Sequence, residues 1–330
     1  MMKTQFIQSI LERDTRLALL IGVYAGLQIT GANIRQAVTN ASAQTEAVLA
    51  MHTRFGTEAL LTAMDLSAEA EAFGCPVQIN DDEIPSVTGK LVADLDQASR
   101  LKIPTVGTSR TAVHLAVAKA LTMQRTAPVL GGCIGPFSLA ALLMGVNEAL
   151  QATITNPDIL HTLLEKTSMF IINYMLAFRE AGAVGVIMAE PTAGLLSPLG
   201  VGQFSSQYVK RIVDAVQSDD FTLLYHNCGA RNVHLPKVLE SGASIYHFNN
   251  QMDIAAALQV VDASIVLGGN IDPASVFRFG TAEDVRNSTQ SLLQTTIKYQ
   301  NFFIASGCDL PPGIPVENMD IFYQTVSRFK

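Results

Sequence analysis

Residues 221–229 read FTLLYHNCG, an apolar run of strand formers that ends in His226 and Cys228 and is then broken by Gly229. In an extended chain residues i and i+2 project to the same side, so the His226 imidazole and the Cys228 sulfur face one space. Neutral imidazole and thiolate together suit zinc, and a catalytic zinc keeps three protein ligands with one position open. A buried strand end with a satisfied histidine and an inert cysteine has the same local pattern. The choice between them rests on whether the rest of the chain delivers a third ligand.

Working outward, seven more strand-like runs appear: LALLIGV (17–23), EALLTAM (58–64), APVLGGC (127–133), VGVIMA (184–189), SIYHFN (244–249), SIVLGG (264–269) and FFIAS (302–306). The segments between them carry helical spacing. Val209, Ile212, Val213 and Val216 recur at i, i+3, i+4 and i+7, as do Ile254, Ala257, Leu258 and Val261. Asn156-Pro157 reads as a cap followed by proline at the first helical position, and Thr281 with Asp284 as a capping box. Eight buried strands alternating with helices predict an α/β protein with one (β/α)8 TIM barrel over residues 1–330, preceded by an N-terminal helical lead; a doubly wound sheet is the competing arrangement. The interval from Asp65 to Thr126 is too long for one helix and contains IPSV and KIPTVGTS, which predicts an excursion at the barrel mouth after the second strand.

A barrel directs its strand ends to one mouth. Those ends carry Tyr24, Asp65, Cys133, Glu190, His226 with Cys228, Asn249, Asn270 with Asp272, and Cys308. Cys308, at the end of the last strand, is then the natural third ligand. Cys133 is a weaker candidate, a small residue in a glycine-rich loop, and Cys75, wedged in FGCPV, reads as structural.

The net charge of -7 comes from acidic residues spread along the chain, and no basic cluster is present to track a phosphate backbone, which argues against nucleic acid as a partner. The first residues, with Lys3, Glu12, Arg13 and Asp14, lack the pattern of a secretory signal, so a cytoplasmic protein is expected. Thr126 to Asn147 carries no charge, but Pro128, Gly131, Gly132, Gly135 and Pro136 divide it into strand, loop and helix start, and no membrane span is expected. Four widely separated cysteines without an export signal do not read as a disulfide framework.

HNCG at 226–229, GGNIDP at 268–273 and GCDLPPGIPVEN at 307–318, with AMDLSAEAEAFGCPV at 63–77 and GGCIGPFSLA at 131–140, resemble the uroporphyrinogen decarboxylase superfamily. Within it the chain looks most like the zinc-dependent corrinoid methyltransferases of the methylcobamide:coenzyme M type. The decarboxylase branch carries an arginine-rich N-terminal segment for porphyrinogen carboxylates, whereas VYAGLQITGANIRQ here has only Arg35. That branch also has a glycine-histidine-glycine pattern after the last strand, where this chain reads Gly307-Cys308-Asp309.

The resemblance implies zinc held by His226, Cys228 and Cys308. It implies a methyl group taken from methylcobalamin on a partner corrinoid protein, and a small thiol acceptor such as coenzyme M. No Asp-x-His-x-x-Gly cobalt motif occurs in the chain, in keeping with a corrinoid that arrives on a partner. Asp65 aligns with a carboxylate the decarboxylases use, and Glu190 is a possible further ligand; both are candidate catalytic residues. Asn249 and Asn270 are candidate cofactor-binding groups, with asparagine at 249 and 250 where many relatives have an acid. The alternatives are a uroporphyrinogen decarboxylase-type lyase and a non-catalytic member that binds zinc or a corrinoid protein.

Overall fold

The computed structural model describes residues 4–329; Lys3, named above in the charged N-terminal segment, lies outside them. All eight apolar runs are strands of one parallel sheet: β1 (Ala18–Leu19), β2 (Leu60–Leu61), β3 (Val129–Ile134), β4 (Gly185–Ala189), β5 (Thr222–Asn227), β6 (Ile245–Phe248), β7 (Val266–Ile271) and β8 (Phe302–Ser306). Their order is β1-β8-β7-β6-β5-β4-β3-β2, with helices between successive strands, so the first strand lies against the last and the sheet curls into a (β/α)8 barrel. A doubly wound sheet would not pair its first and last strands in this way.

Alternation along each strand sorts side chains into two layers. Leu17, Leu19, Ile21, Leu61, Leu130, Ile187, Leu224, Ile245, Val266 and Phe303 form an inner cluster, joined by Phe6, Ile7 and Ile10 of the N-terminal helix Gln5–Leu11. The intervening residues, such as Val186, Met188, Leu223 and Tyr225, pack outward against the helices. Inner and outer sets are both apolar, which is why the strands read as continuous runs in the sequence. Gly268 is needed inside: a Cβ there would overlap the Phe303 ring.

β1 and β2 are shorter than their apolar runs. Val23 already opens the helix Val23–Thr30, and past β2 the Ala63 N–H donates to Gln44 Oε1 at 2.9 Å instead of to a neighbouring strand. The buried Gln44 amide also donates to the Ala37 carbonyl, so one side chain fills part of the ladder at this seam. The capping box at Thr281 and Asp284 is present, whereas Asn156 caps the helix Pro157–Glu180 by position and makes no side-chain cap bond.

The Asp65–Thr126 interval holds helices Ala68–Phe73, Leu95–Arg100 and Thr111–Gln124 and an antiparallel ribbon pairing Val77 with Val87. The uncharged stretch from Thr126 becomes β3, then helices Pro136–Met144 and Val146–Thr155, which meet at 104°. Among the described residues no single helix is long and apolar enough to cross a membrane; that bent pair passes by length and composition only. The residues of its first helix are nearly all buried within the protein.

Candidate metal centre

His226 inherits its direction from β5. Leu224 belongs to the inner cluster, so parity turns His226 inward too, and Cys228 follows just past the strand end. Gly307, following β8, lies so close to the Asn249–Asn250 backbone that a Cβ there would crowd it, and Cys308 comes next. One ligand atom from each of His226, Cys228 and Cys308 lies within 4.8 Å of the other two. A tetrahedral zinc with bonds of about 2.0–2.3 Å sets its ligand atoms about 3.5–3.8 Å apart, so the three donors are close to coordination spacing. His226 Nε2 is buried without a hydrogen-bond partner, the condition expected of a nitrogen meant for a cation.

The two sulfurs are joined to each other. The hydrogen bond from the Cys308 thiol lowers the pKa of Cys228, while Cys308, through that bond and through burial, is pushed up to about 12 against the opposing pull of His226.

Behind His226 stands a residue that the sequence analysis did not single out. His247 of β6 is the register partner of His226, and both point inward. Their Nδ1 atoms are 2.8 Å apart and His226 Nδ1 is 3.2 Å from the His247 carbonyl. Two nitrogens at that distance share one proton. With it on His226, Nδ1–H donates toward His247 and Nε2 is left as the lone-pair donor. Burial and the neighbouring His226 hold the His247 pKa well below the usual histidine range, while the Ser306 backbone beside Cys308 opposes this. The Phe303 ring stacks on His247 at 6.0 Å.

The asparagines predicted to bind a cofactor spend their amides on backbone. Asn249 Nδ2 donates to the Cys228 carbonyl, and Asn249 Oδ1 accepts from Gln251 N at 3.0 Å. Asn270 Nδ2 donates to the carbonyls of Asn249 at 2.9 Å and Met252 at 2.7 Å. β7 therefore holds the loop after β6, and that loop holds the turn carrying Cys228. Asp272 caps the helical turn after β7 and accepts from Asn250. Cys133 stands apart from the three ligands: Leu130 faces inward, so Cys133, three residues on, faces the helix layer. Cys75 is buried in the outer core, where burial pushes its thiol up to about 11.

The three ligands form one wall of a cavity of about 410 Å³. Met64 and Leu66 after β2, Leu142 of the helix after β3 and Pro191 after β4 supply other walls, and the excursion lays Ile84 and Val87 of its ribbon across the mouth.

The profile of the family described as Uroporphyrinogen decarboxylase (URO-D) matches residues 20–329. The chain belongs to that family. It is 29% identical, over 94% of its length and 91% of the relative's, to "Methylcobamide:CoM methyltransferase MtbA" of Methanosarcina mazei. It is 24% identical, over 87% of its length and 83% of the relative's, to the "Uroporphyrinogen decarboxylase" of Psychromonas ingrahamii. A solved structure titled "methyltransferase from Methanosarcina mazei" superposes with a TM-score of 0.89 over 99% of this chain and 98% of that one, at 24% identity, which fixes the fold. By its place among these relatives the chain is an enzyme of the methyltransferase type.

The two acids predicted as catalytic in this URO-D family member do not line the cavity. Asp65 is buried and accepts from Ser67 N at 3.2 Å, Ser67 Oγ at 2.7 Å and the Arg110 guanidinium. Arg110, pushed down to about 10 by burial, also donates to Glu71 at 2.8 Å and Ser67 Oγ at 2.8 Å. Glu190 follows Ala189, which lines the cavity, so alternation turns its own side chain outward onto the first turn of helix Pro136–Met144. There it accepts from Phe137 N at 2.8 Å, Ser138 N at 2.9 Å and Ser138 Oγ at 2.7 Å. These bonds favour the carboxylate, yet full burial outweighs them and raises its pKa to about 7.

Proposed function

We propose that this protein is a zinc-dependent methyltransferase that moves a methyl group from a methylated corrinoid, presented by a partner protein, to a small thiol. The observation that carries the reading is the convergence of one imidazole and two thiols on the wall of a cavity at the barrel mouth. Zinc bound by His226, Cys228 and Cys308 would supply a fourth position at which a substrate thiol loses its proton at neutral pH.

The chain's own residues do the rest. Two cysteine thiolates offset the charge of a dication, so an acceptor sulfur held beside them stays electron-rich. His247 fixes the tautomer of His226, and Asn249 fixes the Cys228 carbonyl. The apolar walls exclude water, whose competition for the methyl group would waste it. A methylated corrinoid presented at the mouth would supply the methyl group and keep the electron pair of its cobalt–carbon bond, and the acceptor sulfur, its proton lost to solvent, would take the methyl carbon.

A decarboxylase acting on a polycarboxylate draws less support. Arg35, the lone arginine in the segment where that branch concentrates them, is exposed and paired with Asp81 at 2.7 Å. Metal content of purified protein and of the Cys308→Ser variant, followed by demethylation of methylcobalamin with thiols, tests the proposal. Stoichiometric zinc in the wild type, its loss in the variant and thiol-dependent demethylation are expected. A wild-type protein that takes up no stoichiometric zinc would overturn it.

A further inference from the structure

The relatives' named acceptor, coenzyme M, is a thiol bearing a permanently anionic sulfonate, and burying such a group requires a cation to meet it. Among the described residues lining the cavity there is no lysine and no arginine. The polar lining beyond the three ligands is Ser67, Ser86 and Asp309; the remainder is aliphatic side chains, methionine and proline. Asp309 gives no counter-charge in either protonation state: ionised it repels an anion, and protonated it is only a hydrogen-bond donor. The guanidinium joined to this lining, that of Arg110 through Ser67 Oγ, is already committed to Asp65 and Glu71 and is itself buried.

Resting on the methyltransferase reading above, we infer that the acceptor is a short neutral thiol with an apolar body, and that a thiol carrying an anionic headgroup is discriminated against. The apolar walls supply affinity in proportion to the hydrocarbon they cover, and the ligand wall takes the sulfur. Discrimination comes from the unpaired headgroup, because a site that cannot match a buried charge rejects it more strongly than it rewards a methylene.

The test uses the full-length protein loaded with Co(II) in place of zinc, titrated with ethanethiol, 1-propanethiol, 2-mercaptoethanol, 2-aminoethanethiol and coenzyme M. The sulfur-to-cobalt absorption band reads binding without turnover. Methylcobalamin demethylation by the zinc form gives kcat/KM for the same panel. Half-saturation by the neutral thiols is expected at concentrations at least about tenfold below coenzyme M. 2-Mercaptoethanol, close to coenzyme M in length, isolates the charge, and 1-propanethiol should exceed ethanethiol by about fourfold for its extra methylene. A Val87→Arg variant, which adds a cation on the surface ribbon, should raise the preference for coenzyme M about tenfold or more.

Tightest binding and highest kcat/KM for coenzyme M, or for the cationic 2-aminoethanethiol, would overturn the acceptor class while leaving thiol methylation standing. A band that no thiol perturbs, with no demethylation by any of them, would remove the methyltransferase reading as well.

Discussion

A metal-binding imidazole is aimed by whatever holds its second nitrogen. For His226 that is His247, through its ring at 2.8 Å and its carbonyl at 3.2 Å. Replacing His247 by phenylalanine keeps the stack on Phe303 and the carbonyl, and removes only the ring acceptor. Zinc affinity, measured by competition with a chromophoric chelator, should then fall about tenfold, the lower end of what such partners contribute. Cys308→Ser, which removes a ligand, should cost far more. Unchanged affinity in His247→Phe would show that the carbonyl alone orients the ring. His226 and Cys228 were legible because two residues apart on one strand already share a face, and Cys308 because strand ends converge. His247 was legible only through register, since it lies alone in an apolar run and means something only once β6 is laid beside β5. Asn249 and Asn270 were recognised as site residues, but sequence does not say whether an amide faces a ligand or a neighbour's backbone.

At the scale of elements, the excursion after β2 is latched to the barrel by Arg110, which precedes helix Thr111–Gln124 and reaches Asp65, four residues past β2, and Glu71 of helix Ala68–Phe73. Its presence at the mouth was readable from the length of the interval and from IPSV. The latch was not, because Asp65 and Arg110 are 45 positions apart. The pair is almost wholly buried, so removing one partner strands a charge, whereas removing both removes the need for either. Arg110→Met should therefore lower the unfolding free energy by about 3–5 kcal/mol. The double variant Arg110→Met with Asp65→Leu should recover much of that loss. Urea denaturation distinguishes the outcomes; a double variant no more stable than the single one would mean that Arg110 acts through its contacts with Glu71 and Ser67.

For the whole molecule, the barrel was legible because inner and outer strand faces are both apolar and eight such runs alternate with helical spacing. The charges enclosed by that closure were not, since burial is a property of the finished fold. Glu69 is fully buried on the helix after β2, bonded to Ile134 N at 3.0 Å at the end of β3, and burial raises its pKa to about 7 from 4.5. The folded state therefore keeps a proton that the unfolded chain has released, so fewer protons are bound on unfolding and stability falls as pH rises through 7. The contribution is fully present below about 4.5 and gone above 7. His114, held down to about 3 by burial and Arg110, has the opposite slope between its ordinary 6.5 and that value, which would blur a measurement on the wild type alone. Comparing Glu69→Gln with the wild type cancels it, because glutamine resembles the protonated acid at every pH. Between pH 5.5 and 8 the variant should gain about 2 kcal/mol relative to the wild type in urea denaturation. A difference that stays flat, or that moves toward the wild type as pH rises, would mean that Glu69 is ionised inside the folded barrel and that a neighbouring group carries the compensating charge.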